Sequence, residues 1–109
     1  MSKRPIDLLL KDILESIDNV EQYTEGMSFD GFSKDQKSID AVVRNLEIIG
    51  EAANRLPDEF KERHSSVEWH KVVGLRHRII HEYFGIDLQI IWQIVHVDLP
   101  TLRHTLSLI

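Results

Sequence analysis

The fold the sequence predicts is all-α: an up-and-down bundle of four main helices with a short connecting helix, in one domain covering residues 1–109. Three observations lead there. Four stretches repeat apolar residues at three- and four-residue intervals, the spacing of one helix face. Gly26, Gly31, Pro57 and Gly85 fall between those stretches. Capping residues stand where helices should begin.

The first helix is expected over residues 6–23, where Ile6, Leu9, Leu10, Ile13, Leu14, Ile17 and Val20 share a face and Asp7, Lys11, Asp12, Glu15 and Asp18 fill the other side. Pro5 suits its first turn, where a missing N–H costs little. Residues 24–33 hold two glycines and little periodicity, which predicts a loop. Ser33 followed by Gln36 has the pattern of a capping box. A second helix should run to about residue 56, with Ile39, Val42, Val43, Leu46, Ile49, Ala53 and Leu56 inward. Gly50 in its middle costs about 1 kcal/mol against alanine, so it marks a place where another helix comes close. Arg44, Asn45, Glu47 and Glu51 form either a surface network at helical spacing or the support of a site.

Pro57 ends that helix and opens a short helical turn through Phe60, and residues 61–66 read as a polar connector. A third helix is expected from residue 67, capped by Ser65 or Ser66, to about Tyr83, with Gly85 as its stop. Asp87 is a good cap for a fourth helix reaching residue 108. That helix carries a second apolar stripe of Ile90, Ile94 and Val97, so it is either central or shared with a second chain. Pro100 should kink it near His96.

The third helix would carry the chemistry. Arg76, His77, Arg78, His81 and Tyr83 crowd into eight residues. Between Lys71 and His81 there are three positive charges and no acid, in a chain of net charge -5. Arginine suits phosphate oxygens, and histidine moves protons near neutral pH. Such a set can cleave a phosphodiester without a metal, though it could equally be a solvated helix face. The overall acidity makes any RNA contact local, unlike a coating surface of pI above about 9. No metal site is expected, because the two histidines at i,i+4 spacing are flanked by arginines. No cofactor is expected either. The absence of cysteine, of a signal-peptide block and of any membrane-length apolar run fits a soluble cytoplasmic protein without membrane contact.

The arrangement Arg76-x4-His81-x-Tyr83, with His77 directly after the arginine, resembles the signature of the HEPN superfamily of ribonucleases. More narrowly it is similar to the HepT-like toxins of HepT/MntA toxin–antitoxin systems. The stretch from Arg44 to Ala52 resembles the same family's second helix. The resemblance implies a HEPN-like bundle and a metal-independent RNA endonuclease. Arg76 and His81 would be catalytic, and His77 and Arg78 would support them. It implies a homodimer with both motif copies in one groove. It also implies a cognate MntA-like nucleotidyltransferase antitoxin that transfers AMP onto Tyr83. The alternative is a non-catalytic, nucleotide-binding partner subunit of a nucleotidyltransferase. A straight helix constrains all of this: at about 100° per residue, His81 would lie about 140° from Arg76. Either the helix unwinds after Ile80 or two chains share the cleft.

Overall fold

The computed structural model describes residues 3–81 and 85–109, with His81 described through its backbone only. The elements are α1 (Ile6–Thr24), α2 (Phe29–Ser33), α3 (Gln36–Arg55), α4 (Asp58–Arg63), α5 (Trp69–Val73), α6 (Leu75–Ile79), β1 (Ile80–His81), β2 (Gly85–Ile86), α7 (Leu88–Gln93) and α8 (Leu99–Ser107). A π-helical turn, Ile94–Asp98, joins the last two. The all-α class is therefore as expected, with one two-residue ladder added to it.

The expected stripes form one core. Leu9, Ile13, Ile17 and Val20 of α1 pack with Val42, Leu46, Ile49 and Ala53 of α3, all 4% exposed or less. Burying each of the larger aliphatic side chains contributes about 1.5–3 kcal/mol. Ile91, Ile94, Leu99 and Leu102 extend the core along the C-terminal helices, while Val97 of the second stripe stays exposed. Arg103 of α8 ties back to α1 through Asp18 and Glu21. Burial works against the Arg103 charge, and the hydrogen bonds with those two acids outweigh it, so its pKa stands above the usual value.

Local details depart from expectation where tertiary contacts decide. The loop expected at 24–33 contains α2, because Phe32 is fully buried and stacks against Trp92 at a centroid distance of 5.2 Å. Its cap is Ser28, whose Oγ accepts from the Gly31 N–H. α3 is capped not by Ser33 but by Asp35, which accepts from the Ser38 amide and from its hydroxyl. Gln36 reaches forward to Asp40 instead of back. The turn after Pro57 extends further than expected, to Arg63, and the residue before α5 is Glu68 rather than a capping serine. Pro100 acts as foreseen near His96, but as a widened turn. The Leu99 N–H reaches back five residues to the Ile94 carbonyl. The proline ring would otherwise crowd the His96 carbonyl. No helix among the described residues is long and apolar enough to cross a membrane.

The largest departure falls on the expected third helix. It breaks at Gly74 into α5 and α6 and stops at Ile79, well before Tyr83. Ile80 is extended and pairs with Ile86, and His81 pairs with Gly85. The Asp87 N–H donates to the Ile79 carbonyl at 2.9 Å, closing the hairpin at its base. Asp87 then caps α7 as expected, its Oδ1 accepting from the Ile90 amide. Gly85 stops no helix; its φ of +75° is a hairpin conformation that a side chain would strain.

Candidate active site

The unwinding after α6 resolves the angular problem. His81 no longer lies on the helix that carries Arg76, so the angle between them on a helical wheel does not apply. Arg76 and His77 remain on α6, both exposed, and both line a cleft of about 700 Å3. The facing wall is α3. Arg44, Glu47, Ile48, Glu51, Asn54 and Arg55 lie along it at three- and four-residue intervals, a stripe about 16 Å long. The start of α1 adds Leu9 and Asp12, and the α5–α6 junction adds His70, Val73 and Gly74.

Gly50 is what lets these walls meet. A Cβ there would stand 3.4 Å from the carbonyl oxygens of Val72 and Val73, at the end of α5. The close approach expected from sequence is therefore to the segment leading into the motif. Because 3.4 Å is ordinary contact, Gly50→Ala should fold normally, its helix propensity offsetting the slight crowding. Gly50→Leu should force α5 outward and lower stability by about 1–3 kcal/mol. Thermal unfolding of the pair tests this, and equal stabilities would contradict it.

The polar residues of α3 separate into two groups. Asn45 points inward and is 6% exposed. It donates to the Ala41 carbonyl at 2.8 Å, and its Oδ1 accepts from Asn19 of α1 at 3.2 Å. That is a structural link between the two long helices. Asn45→Ala should cost about 1–3 kcal/mol in urea unfolding by leaving the Asn19 amide without its partner, with no change in any cleavage rate of the folded fraction. Arg44, Glu47 and Glu51 line the cleft. Glu51 pairs with Arg55 at 3.1 Å, an exposed contact of little energetic weight. Asp12 is held bidentately by Arg4, at 2.7 and 2.9 Å. The side chains of Arg44, Glu47, Arg76 and His77 make no hydrogen bond or ion pair among the described residues.

Arg78 lies elsewhere. Its guanidinium pairs with Asp98 of the π turn at 2.7 Å and lines a separate cavity of about 200 Å3 with Val97 and Leu75. It thus ties α6 to the C-terminal helices. The His81 backbone sits in β1, and Tyr83 lies outside the described residues. Asp12, Asn54, Arg55 and His70 reach the cleft without having been singled out from sequence. The spacing of Asn54 and Arg55 from Arg44, Glu47 and Glu51 continues one helix face and could have found them, as could the seven-residue spacing of His70 from His77; Asp12 is too distant in the chain for any such signal. Among the described residues, no group of three or more His, Asp or Glu side chains is placed to hold a metal ion.

A family model described as "Ribonuclease HepT-like" matches residues 13–109. The chain belongs to the HepT-like ribonuclease family. The HepT-like match covers both the α3 stripe and the motif segment. Curated relatives agree. "Probable ribonuclease HepT" of Thermococcus cleftensis is 40% identical over 94 residues, 86% of each chain. "Putative RNase MJ1380" of Methanocaldococcus jannaschii is 39% identical over the whole of both chains. "Putative RNase TTE0752" of Caldanaerobacter subterraneus is 44% identical over 94 residues, 86% of this chain and 84% of its own. No solved structure matches the chain.

Proposed function

We propose that this chain is a metal-independent RNA endonuclease and the toxin of a toxin–antitoxin pair. The observation that carries the reading is the cleft in which the motif's Arg76 and His77 face the polar stripe of α3, in a member of the HepT-like family. His81 takes the proton of an RNA 2′-hydroxyl as the 2′-oxygen attacks the neighbouring phosphorus. The bond to the 5′-oxygen breaks, the departing oxygen is protonated, and a 2′,3′-cyclic phosphate remains. Arg76 neutralises the charge that builds on the phosphate oxygens. His77 orients the phosphate. Arg78 supports the site at one remove, its pair with Asp98 holding α6 in place.

The working form is a homodimer. Ile80 and Ile86 face each other across the hairpin that carries His81, and both are exposed. Val97 is more exposed still, at 55%. Apolar groups left open beside a site favour a second copy of the same chain. A nucleotidyltransferase antitoxin silences the toxin by transferring AMP to Tyr83.

The test is incubation of purified protein with labelled RNA in EDTA. Cleavage to cyclic phosphate ends, abolished by a 2′-deoxy substitution at the cut, is the expected result. A protein that binds nucleotides but cleaves no RNA would instead be the non-catalytic partner of a nucleotidyltransferase.

A further inference from the structure

The cleft is not a simple phosphate groove, because its walls alternate in charge. Arg44, Arg55 and Arg76 are interleaved with Asp12, Glu47 and Glu51. Two of the acids are already engaged, Asp12 by Arg4 and Glu51 by Arg55. Glu47 is different. It is half-buried, lines the cleft between Arg44 and Glu51 on the α3 face, and has no partner among the described residues. A free carboxylate repels RNA phosphates and loses hydration when RNA covers it. Its presence there is unfavourable to RNA binding unless the RNA brings hydrogen-bond donors to it.

RNA offers two kinds of donor, ribose hydroxyls and base N–H groups. A carboxylate has two acceptor oxygens side by side and is best satisfied by two parallel donors. Guanine is the base whose Watson–Crick edge places two donors next to each other, N1–H and the 2-amino group. Adenine and cytosine each set a donor beside an acceptor on that edge, and uracil sets one donor between two acceptors. The cleft volume, about 700 Å3, is of the size that holds a nucleotide. Arg44 and Arg76, whose side chains have no partner among the described residues, are placed to take its phosphates.

We infer that Glu47 is a specificity-determining residue that reads the Watson–Crick edge of a guanine next to the scissile phosphate. The inference rests on the ribonuclease reading for its setting, but nucleotide binding tests it independently of cleavage. Calorimetry with 3′-GMP and 5′-GMP should show one of them binding about 10-fold tighter than its adenosine counterpart. The inosine nucleotide, which lacks the 2-amino group, should fall between them. Glu47→Gln puts a donor where one acceptor stood and should bring guanosine and adenosine to within about twofold, whereas Glu47→Asp should keep part of the preference. In RNA, guanosine-to-inosine replacement at the cut should slow wild-type cleavage several-fold and leave the Glu47→Gln rate unaffected by the replacement. Equal binding of guanosine and adenosine nucleotides by the wild type would overturn the inference, as would a preference that survives in Glu47→Gln. Cleavage without base preference would leave the nuclease standing and remove the role of Glu47. Guanosine selectivity without cleavage would do the reverse.

Discussion

His81→Ala and Arg76→Ala should each yield a folded protein that no longer cleaves RNA. General acid–base catalysis by a positioned histidine contributes about 10²–10⁴ in rate, so loss of His81 should reduce single-turnover cleavage by at least that factor. In the proposed mechanism Arg76 offsets the extra charge that builds on the phosphate oxygens as the bonds exchange, and its removal should cost about 10²–10³. Neither change should unfold the chain. Arg76 is exposed and holds no partner among the described residues. His81 enters the ladder through its backbone, which alanine keeps. Helical circular dichroism should therefore match the wild type, with melting temperatures close to it. The two variants also separate two kinds of failure. A folded His81→Ala protein that cuts at the wild-type rate would remove the proton-transfer role altogether. A folded Arg76→Ala protein with unaltered rate would shift the phosphate to Arg44, the other arginine of the cleft without a side-chain partner among the described residues.

The long helices were legible because their burial is simple. α1 and α3 each bury one stripe, and that stripe repeats with the helical period. The motif segment was not, because two opposing signals overlap in it. Leu75 and Ile79 keep the helical spacing and are both buried, which extends the apparent helix toward Tyr83. The ladder that ends it depends on Ile86, Gly85 and the Asp87 amide, all supplied from further along the chain. Ile80 and Ile86 also leave β-branched side chains exposed, which no burial pattern would have flagged. The short α2 escaped for a related reason. Five residues carry no period, and Phe32 is placed by Trp92, sixty residues away. For the site, sequence supplied the motif and the α3 residues opposite it. Which of those residues turn toward the cleft and which toward α1 took the fold to decide, as Asn45 and Glu47 show by facing opposite ways.

Tyr83→Phe should abolish modification by the cognate nucleotidyltransferase, and with it the silencing of the toxin. The phenol oxygen is the only heavy atom the substitution removes, and in the proposed transfer it would be the nucleophile that attacks the α-phosphorus of ATP. The new bond joins that oxygen to phosphorus, pyrophosphate leaves, and the phenolic proton passes to a base. Each transfer would add one AMP mass and at least one negative charge four residues beyond Ile79, where α6 ends. An adenylyl group there would compete with RNA for Arg76 and Arg44, the arginines of the cleft without a side-chain partner among the described residues. The coupling between charge and occupancy gives a second readout. Because the competition is electrostatic, the difference in RNA affinity between unmodified and modified protein should narrow as salt screens the charges, whereas a purely steric block would keep it. Intact-mass measurement after incubation with the nucleotidyltransferase and ATP should show AMP increments on the wild type and none on Tyr83→Phe. Tyr83→Phe should still cleave RNA and resist neutralisation in cells that express both proteins. If the label lands on Tyr23, the chain's other tyrosine, or if Tyr83→Phe is still silenced, the switch lies outside the motif.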